Sequence, residues 1–537
     1  MSSPTPSLDK SPLRAEAEKE ARLSNANYTP ATSETSSEVQ KVTYTAEEEK
    51  RLLRKSRSST FRVGPIGGWL YALFDLALLP GLTFLYLLSF LDRSNVGNAN
   101  DVGSRRLYGL LKDIGLAKQP EAYNTSLALY FLGYVLFEIP ANAVLKRYNP
   151  RVWLPSLTVA WGIVAICQAF VTNKAGFYVA RTFMGIVEAG LFPGCVFVFS
   201  MYYKRKERHW RVALFFGGAA LAGAFGGVLA YGISFMEGVG GHAAWYWIFV
   251  LEGVFTVLVG LSAYFWVPDY PRQAKFLTDR DREILITRLA EDSDSANIEP
   301  FKFEGVKSAV KDHLVIAFSF VFHGFAFPLY SLSLFLPTII QQLGYASWKL
   351  FIAQAQLLTT PIYASAFLAI LLAARLSATH DRRGVCIIAS GVLAIIGYIV
   401  ILATHTAGAR LAGAFLAVMG IYAATALLLS WPAENISGQT RRATATATQI
   451  FIGDIGAIAG VLVYRPSLNQ HFFRTPHIIA IGYTLFGMLS AAWLWYWMRK
   501  QNLQRASIIQ DNKQDGTAVP TTQDTRGDRA IDYVYQL

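Results

Sequence analysis

Charge is what this sequence has least of: Asp, Glu, Lys and Arg make up 16% of its 537 residues, against 53% hydrophobic and 14% aromatic. Soluble domains carry about a quarter charged residues, so the shortfall excludes an ordinary water-facing surface. A mean hydropathy of +0.31 points the same way. Cysteine is almost missing. Cys167, Cys195 and Cys386 fall inside apolar runs without paired spacing, which argues against both a disulfide framework and a zinc site. No HExxH, GxSxG, Walker loop or clustered Cys/His set occurs, and "EGVGGH", the one glycine fingerprint, lies in a loop between apolar runs. An enzyme, a cofactor and a bound metal are therefore not expected. The net charge of +12 comes from short loops between apolar runs rather than one basic surface, which argues against nucleic acid as a partner.

What the sequence has in abundance is long apolar runs, each approaching the roughly 20 residues that cross a bilayer core. Twelve candidate spans are read at 74–97, 124–146, 152–171, 176–202, 211–235, 245–267, 312–338, 350–374, 384–403, 410–432, 443–464 and 476–498. The expected fold is thus all-α integral membrane, with twelve transmembrane helices in two six-helix halves, 74–267 and 312–498, joined by a polar cytoplasmic linker, 268–311. The polar, Ser/Thr/Glu/Lys-rich stretch 1–62 reads as a disordered cytoplasmic tail, and 499–537 as a second tail of the same character. Lys146, Arg147 and Arg151, then "YYKRKERHWR", the linker, "HDRRG", Arg441 and Arg442 all fall on one side of the membrane. That asymmetry places both termini in the cytoplasm for an even number of spans. Glycine and alanine crowd the fifth span, "FFGGAALAGAFGGVLAYG", where small residues let helices approach closely. Two six-helix halves suggest a major facilitator transporter with its site at the midplane between them.

Function must come from polar residues inside spans, which are costly there and seldom idle. Asp92 and Arg93 interrupt the first span about five residues from its outer end, roughly 7 Å deep at 1.5 Å per residue. The fourth span brings Arg181 to a comparable depth, and Glu188 follows seven residues later, close to two helical turns on. Arg181, Gly185 and Glu188 then share one face: a cation, a hollow and an acid, the makings of an anion site. The plainer alternative is structural ion pairing, Asp92 with Arg181 or Arg93 with Glu188. Guanidinium groups suit a carboxylate because their forked donors match its two oxygens. Asn95, Tyr130 and Tyr330 are further candidate contacts of a bound anion, although aromatic residues in spans more often simply pack. Glu252 and His323 are also intramembrane and suggest no role.

The stretches "LSFLDRSNVGNA", "FLGYVLFEIPANAVLKRYNPRVWLP", "RTFMGIVEAGLFPG", "ALAGAFGGVLAYGI", "VPDYPRQAKFLT" and "LYSLSLFLPTIIQQLGY" resemble the anion:cation symporter family of the major facilitator superfamily, in particular its fungal allantoate and nicotinate permease-like branch. The likeness runs from about Asp75 to Arg499. It implies proton-coupled uptake of a small carboxylate, vitamin-like or nitrogen-containing. It also implies that Arg93 and Arg181 serve anion binding while Asp92 and Glu188 serve proton coupling. Asp454 stands where relatives look asparagine-like, either a third titrating acid or the partner of a nearby cation. "LKRYNPR" has Lys146 where the superfamily usually carries an aspartate, leaving Arg147 as a candidate gate residue, and Asp381 and Arg382 of "HDRRG" are candidate latches between helix ends at the inner gate. The expected partners are the anion, protons and the lipid bilayer; the chain is read as a monomer of the plasma membrane. A proton-independent facilitator and a non-transporting sensor of the same fold are the competing readings.

Overall fold

This computed structural model describes residues 78–99, 110–116, 119, 121–274, 277, 279–292, 303–342, 351–468, 470–514, 528, 530–531 and 533–537. The tail expected over 1–62 lies outside them, as do the side chains of Lys146 and Arg147, so the gate role expected of Arg147 falls outside the description. Where lipid offers no hydrogen bonds, the backbone must satisfy itself within each segment, and helices are the result. In chain order these are α1 (Leu78–Ala99), α2 (Glu121–Arg147), α3 (Pro150–Gln168), α4 (Lys174–Glu188), α5 (Leu191–Tyr202), α6 (Arg205–Ser234) and α7 (Ala244–Trp266). After the short helices Asp279–Asp292 and Phe303–Val310 come α8 (His313–Gln342), α9 (Phe351–His380), α10 (Arg383–Ala403), α11 (Ala407–Leu428), α12 (Trp431–Asn435), α13 (Gln439–Val463) and α14 (Gln470–Gln514). No strand occurs among the described residues.

Among the described residues ten stretches, from Pro150–Gln168 onward, are long and apolar enough to cross a membrane, with α4 and α5 together forming one and α11 and α12 another. The helices α1 and α2, at 22 and 27 residues, have the length and complete twelve crossings; their polar residues dilute their apolar character. Local chemistry sets several ends. Asn149 caps α3 by accepting from the Arg151 amide at 3.1 Å, with Pro150 in the first turn where no amide is needed. Asn173 caps α4 in the same way through the Gly176 amide at 2.8 Å. The fourth crossing is broken at Ala189 and Gly190, immediately after Glu188, and Pro193 cannot supply the amide that would splice the two pieces.

In the first half α1 packs on α6, α2 on α4 and α3 on α7; in the second α8 packs on α13 and α14, and α10 on α11. Gly162 of α3 and Gly253 of α7 face each other so closely that a Cβ on either would stand 3.0–3.1 Å from the other's carbonyl oxygen. The small residues of the fifth crossing work the same way, Gly218 seating against Thr83 of α1 and Gly223 against the Tyr363 ring of α9. The halves meet along α6 with α9 and α2 with α13. They touch at both ends. At the end holding the basic loops, Arg208 Nη2 donates to the Ala433 carbonyl at 3.1 Å, and His209 and Ser430 lie 3.4 Å apart. At the opposite end Asn124 Nδ2 donates to the Val461 carbonyl at 2.5 Å, and the Tyr123 and Phe335 rings meet edge to face at 6.1 Å.

The stretch after Lys500, expected to be disordered, is a correction. The helix α14 runs on to Gln514, and residues 528 and 533–537 lie against the basic end. Its polarity reflects a surface helix and a peptide held by hydrogen bonds, which composition does not distinguish from a solvated tail.

Candidate functional site

Midway between the two closed ends, α1 presents two faces of different character. One carries Arg93 toward α2, α4 and the second half. Its Nη2 lies 2.7 Å from Glu188 Oε1, and its Nη1 donates to the Tyr330 hydroxyl of α8 at 3.0 Å. The rings of Tyr130, Tyr134 and Tyr330 surround the guanidinium at 5.2–5.4 Å, so the cation is held by π faces as well as by its ion pair. Glu188 also accepts from the Tyr130 hydroxyl at 2.6 Å and from Ser89 Oγ. Of the two structural pairings weighed from the sequence, Arg93 with Glu188 is present.

The pairing of Asp92 with Arg181 is not. Asp92 points toward α3 and α7, where Trp161 Nε1 donates to its Oδ2 at 2.6 Å and Thr256 Oγ1 at 3.4 Å. Asn95, three residues on, follows the same face and donates to Glu252 rather than joining the arginines. The first crossing therefore separates a polar cluster of Asp92, Trp161, Asn95, Thr256 and Glu252 from the arginine site.

Arg181 is fully buried, and none of its three guanidinium nitrogens has a hydrogen-bond partner. Its guanidinium lies 5.1 Å from the Tyr130 ring, which also neighbours Arg93, and Tyr123 and Glu188 are close enough to interact with its charge. Tyr130 thus lies close to both cations while its hydroxyl engages Glu188, and Tyr330 brings the second half to the same place. Asp454 on α13 is buried and close enough to feel the charges of Arg93 and Glu188 across the interface. Glu138 on α2, which sequence reading passed over, is fully buried with both carboxylate oxygens unpartnered, and it senses Asp454 in turn. It was visible as the one acid in "YVLFEIPANA".

Gly185 corrects the expected hollow. A Cβ there would run into the Tyr130 carbonyl oxygen and stand 2.9 Å from the Tyr134 amide, so the space between Arg181 and Glu188 is filled by the α2 backbone. Glycine here brings Tyr130 up to both charges. Gly185→Ala is expected to force α2 and α4 apart at about 1–3 kcal/mol, read as a lowered unfolding temperature of the purified protein.

At the basic end Asp381 and Arg382, expected to latch helix ends, are exposed, whereas the next residue is buried and paired. Asp381 takes a left-handed turn (φ 52°) between α9 and α10, which leaves it and Arg382 exposed. Arg383, the next residue, is buried and pairs with Glu434 of α12 at 2.5 Å. His323 lines an apolar crevice of about 580 Å³ with Phe320, Ile452, Ile479 and Tyr483, away from the arginines, and lies 2.9 Å from the Ile452 carbonyl through Nδ1. No group of three or more metal-ligating side chains occurs among the described residues.

A buried, charge-bearing centre between two six-helix halves closed at both ends is the arrangement of a secondary transporter, and a profile of the Major Facilitator Superfamily matches residues 82–461. The chain belongs to that superfamily: it is a multi-pass membrane transporter, not an enzyme. It is 35% identical over 448 residues to the MFS-type transporter cnsO of Penicillium expansum, covering 81% of this chain and 84% of that one. It is 29% identical over 477 residues to the major facilitator-type transporter hxnP of Emericella nidulans, covering 86% and 92%. Among solved structures, the fold is similar to that of the proton:xylose symporter XylE, with a TM-score of 0.60 at 15% identity, over 78% of this chain and 95% of that one.

Proposed function

We propose that this transporter imports a small organic anion, a vitamin-like or nitrogen-containing carboxylate, together with protons. Arg181 carries the reading. A guanidinium enclosed in protein within the membrane, without one acceptor for its five N–H groups, is expensive, and an incoming carboxylate supplies two oxygens in the geometry the fork prefers. Arg93 lies against the same Tyr130 ring, already paired with Glu188, so an anion that reached both cations would compete with Glu188 for Arg93. That competition is the physical link between anion and proton.

Charge counting supports the coupling. Asp92, Glu138, Glu188, Glu252 and Asp454 are buried in the spans with Arg93 and Arg181. In the middle of the membrane these five acids outnumber the two cations, the other buried arginines (Arg208, Arg211, Arg383, Arg410 and Arg442) lying in the first two turns of their helices, and protons are the simplest counter-charge for the excess. In this reading Asp92 and Glu188 carry the transported protons and Asp454 is a third acid of the same relay. The halves 74–267 and 312–498 rock about the site, the linker 268–311 and both termini face the cytoplasm, and the protein works as a monomer in the plasma membrane.

The test is uptake into proteoliposomes, screened over vitamin-like and nitrogen-containing carboxylates. An inward proton gradient is expected to accumulate the substrate above its outside concentration, and a protonophore to abolish the accumulation. Uptake indifferent to both would make the protein a facilitator. Binding without any flux would make it a sensor.

A further inference from the structure

We propose that the basic end carries a peptide-binding site for this chain's own residues 528–537, and that the docked peptide clamps the gate closed. The gate element is the short helix α12. From the first half Arg208 reaches the carbonyl of Ala433, so α12 is one of the elements through which the two halves meet at this end. From the other side the same helix is gripped by the tail. The Gln536 carbonyl accepts from Trp431 Nε1 at 2.9 Å and from Asn435 Nδ2 at 3.1 Å, while the Gln536 amide donates to Asn435 Oδ1 at 2.7 Å. The Tyr533 hydroxyl donates to the Glu434 carbonyl at 3.1 Å.

The peptide is anchored beyond α12 as well. Asp528 is buried, pairs with Arg441 at 2.6 Å and exchanges hydrogen bonds with Ser437, donating its amide at 2.7 Å and accepting from the hydroxyl at 3.0 Å. The extension of α14 forms the far wall. Asn502 exchanges two hydrogen bonds of 2.9 Å with the Tyr535 backbone, and Arg505 donates to the Tyr533 carbonyl at 2.7 Å while lying 4.7 Å over the Tyr535 ring. Backbone donors and acceptors paired in this way along a short extended stretch are how proteins recognise peptides. Each of these anchors lies in the second half, and together they fix the orientation of an element on which the first half rests through Arg208. Opening at this end requires α12 to part from Arg208, and a clamped α12 opposes that motion.

The experiment compares the full-length protein with a chain ending at Gln514, both purified and carrying Ala433→Cys after replacement of the three native cysteines. Labelling of the introduced thiol by a water-soluble maleimide reads exposure of the gate directly and does not depend on transport. Failure of this inference therefore leaves the transport reading standing, and the reverse. Truncation is expected to speed labelling roughly five- to tenfold, the effect of releasing one or two net hydrogen bonds. A synthetic peptide of residues 528–537 added in excess is expected to slow it again. Asp528→Asn is the milder probe, because Arg441 keeps Asp312 as its partner at 2.8 Å, and it is expected to speed labelling about twofold or more. Equal rates in the full-length and truncated proteins would overturn the proposal, as would faster labelling that the peptide does not reverse. Should the truncated chain fail to fold, an Asp528→Asn rate equal to that of the parent would overturn it instead.

Discussion

Arg181→Met is expected to give a protein at least as stable as the parent that no longer binds its anion. The guanidinium it removes has no hydrogen-bond partner, so no acid is orphaned, and exchanging a buried unpaired charge for a well-packed apolar side chain is neutral or stabilising. The carboxylate would lose two charge-assisted hydrogen bonds of about 1.5–3 kcal/mol each, which lowers affinity by roughly two to four orders of magnitude. Arg93→Met gives the contrast. It strips Glu188 of its cation and is expected to cost about 3–5 kcal/mol of stability along with function. Arg181→Lys keeps the charge but not the fork, and is expected to bind far more weakly than the parent. Thermal unfolding with and without substrate separates these outcomes, since a bound ligand raises the unfolding temperature. Native affinity in a folded Arg181→Met protein would place the anion elsewhere.

Glu188→Gln is expected to uncouple transport from the proton gradient while leaving exchange of labelled for unlabelled substrate at least partly intact. The amide approximates the protonated acid: its one carbonyl oxygen can still accept from Arg93, whose donor lies 2.7 Å from the carboxylate, while its NH2 faces the Tyr130 hydroxyl, which can turn to accept from it. It cannot take up or release a proton. In the parent an anion drawing Arg93 away would leave Glu188 without its counter-charge, and a proton would replace it, so loading of the two is linked. A purely structural ion pair predicts a different pattern, with folding, exchange and accumulation all falling together. The measurement is counterflow beside gradient-driven uptake in the same proteoliposomes. If the variant still concentrates substrate in response to the gradient, Glu188 is not the coupling acid, and Asp92 and Asp454 become the ones to substitute.

How much of this was legible in the sequence depended on whether a signal was local. Long apolar runs placed most of the described helix ends to within about six residues because each crossing must span the bilayer core, while α14 runs on sixteen residues past the expected 498. Asp92, Arg93, Arg181 and Glu188 stood out because charge inside such runs is rare. Glu138 was as visible and was passed over in a stretch read only for its family resemblance. The partners were out of reach: Trp161 lies 69 residues from Asp92, Thr256 lies 164 from it, and Ser89 lies 99 from Glu188. Tryptophan, serine and threonine are ordinary in a span, and their role appears only when helices are placed side by side. The Arg382 and Arg383 exchange turned on one backbone angle at Asp381, which no side-chain pattern announces. The docked tail was hidden for a related reason, since a peptide held by backbone hydrogen bonds needs no apolar stripe.

The break in the fourth crossing divides it into rigid levers of about 22 and 18 Å, from 15 and 12 residues at 1.5 Å each. Arg181 and Glu188 both ride the first lever; the second ends at Tyr202, beside the basic loop that meets α12. Bending at Ala189 and Gly190 can therefore swing the gate end without altering the spacing between the cation and the acid. The spacing of the cation and the acid is thus set within one helical segment, whereas the interruption at Ala189 and Gly190, where both residues keep right-handed helical angles, is the place at which the crossing can bend.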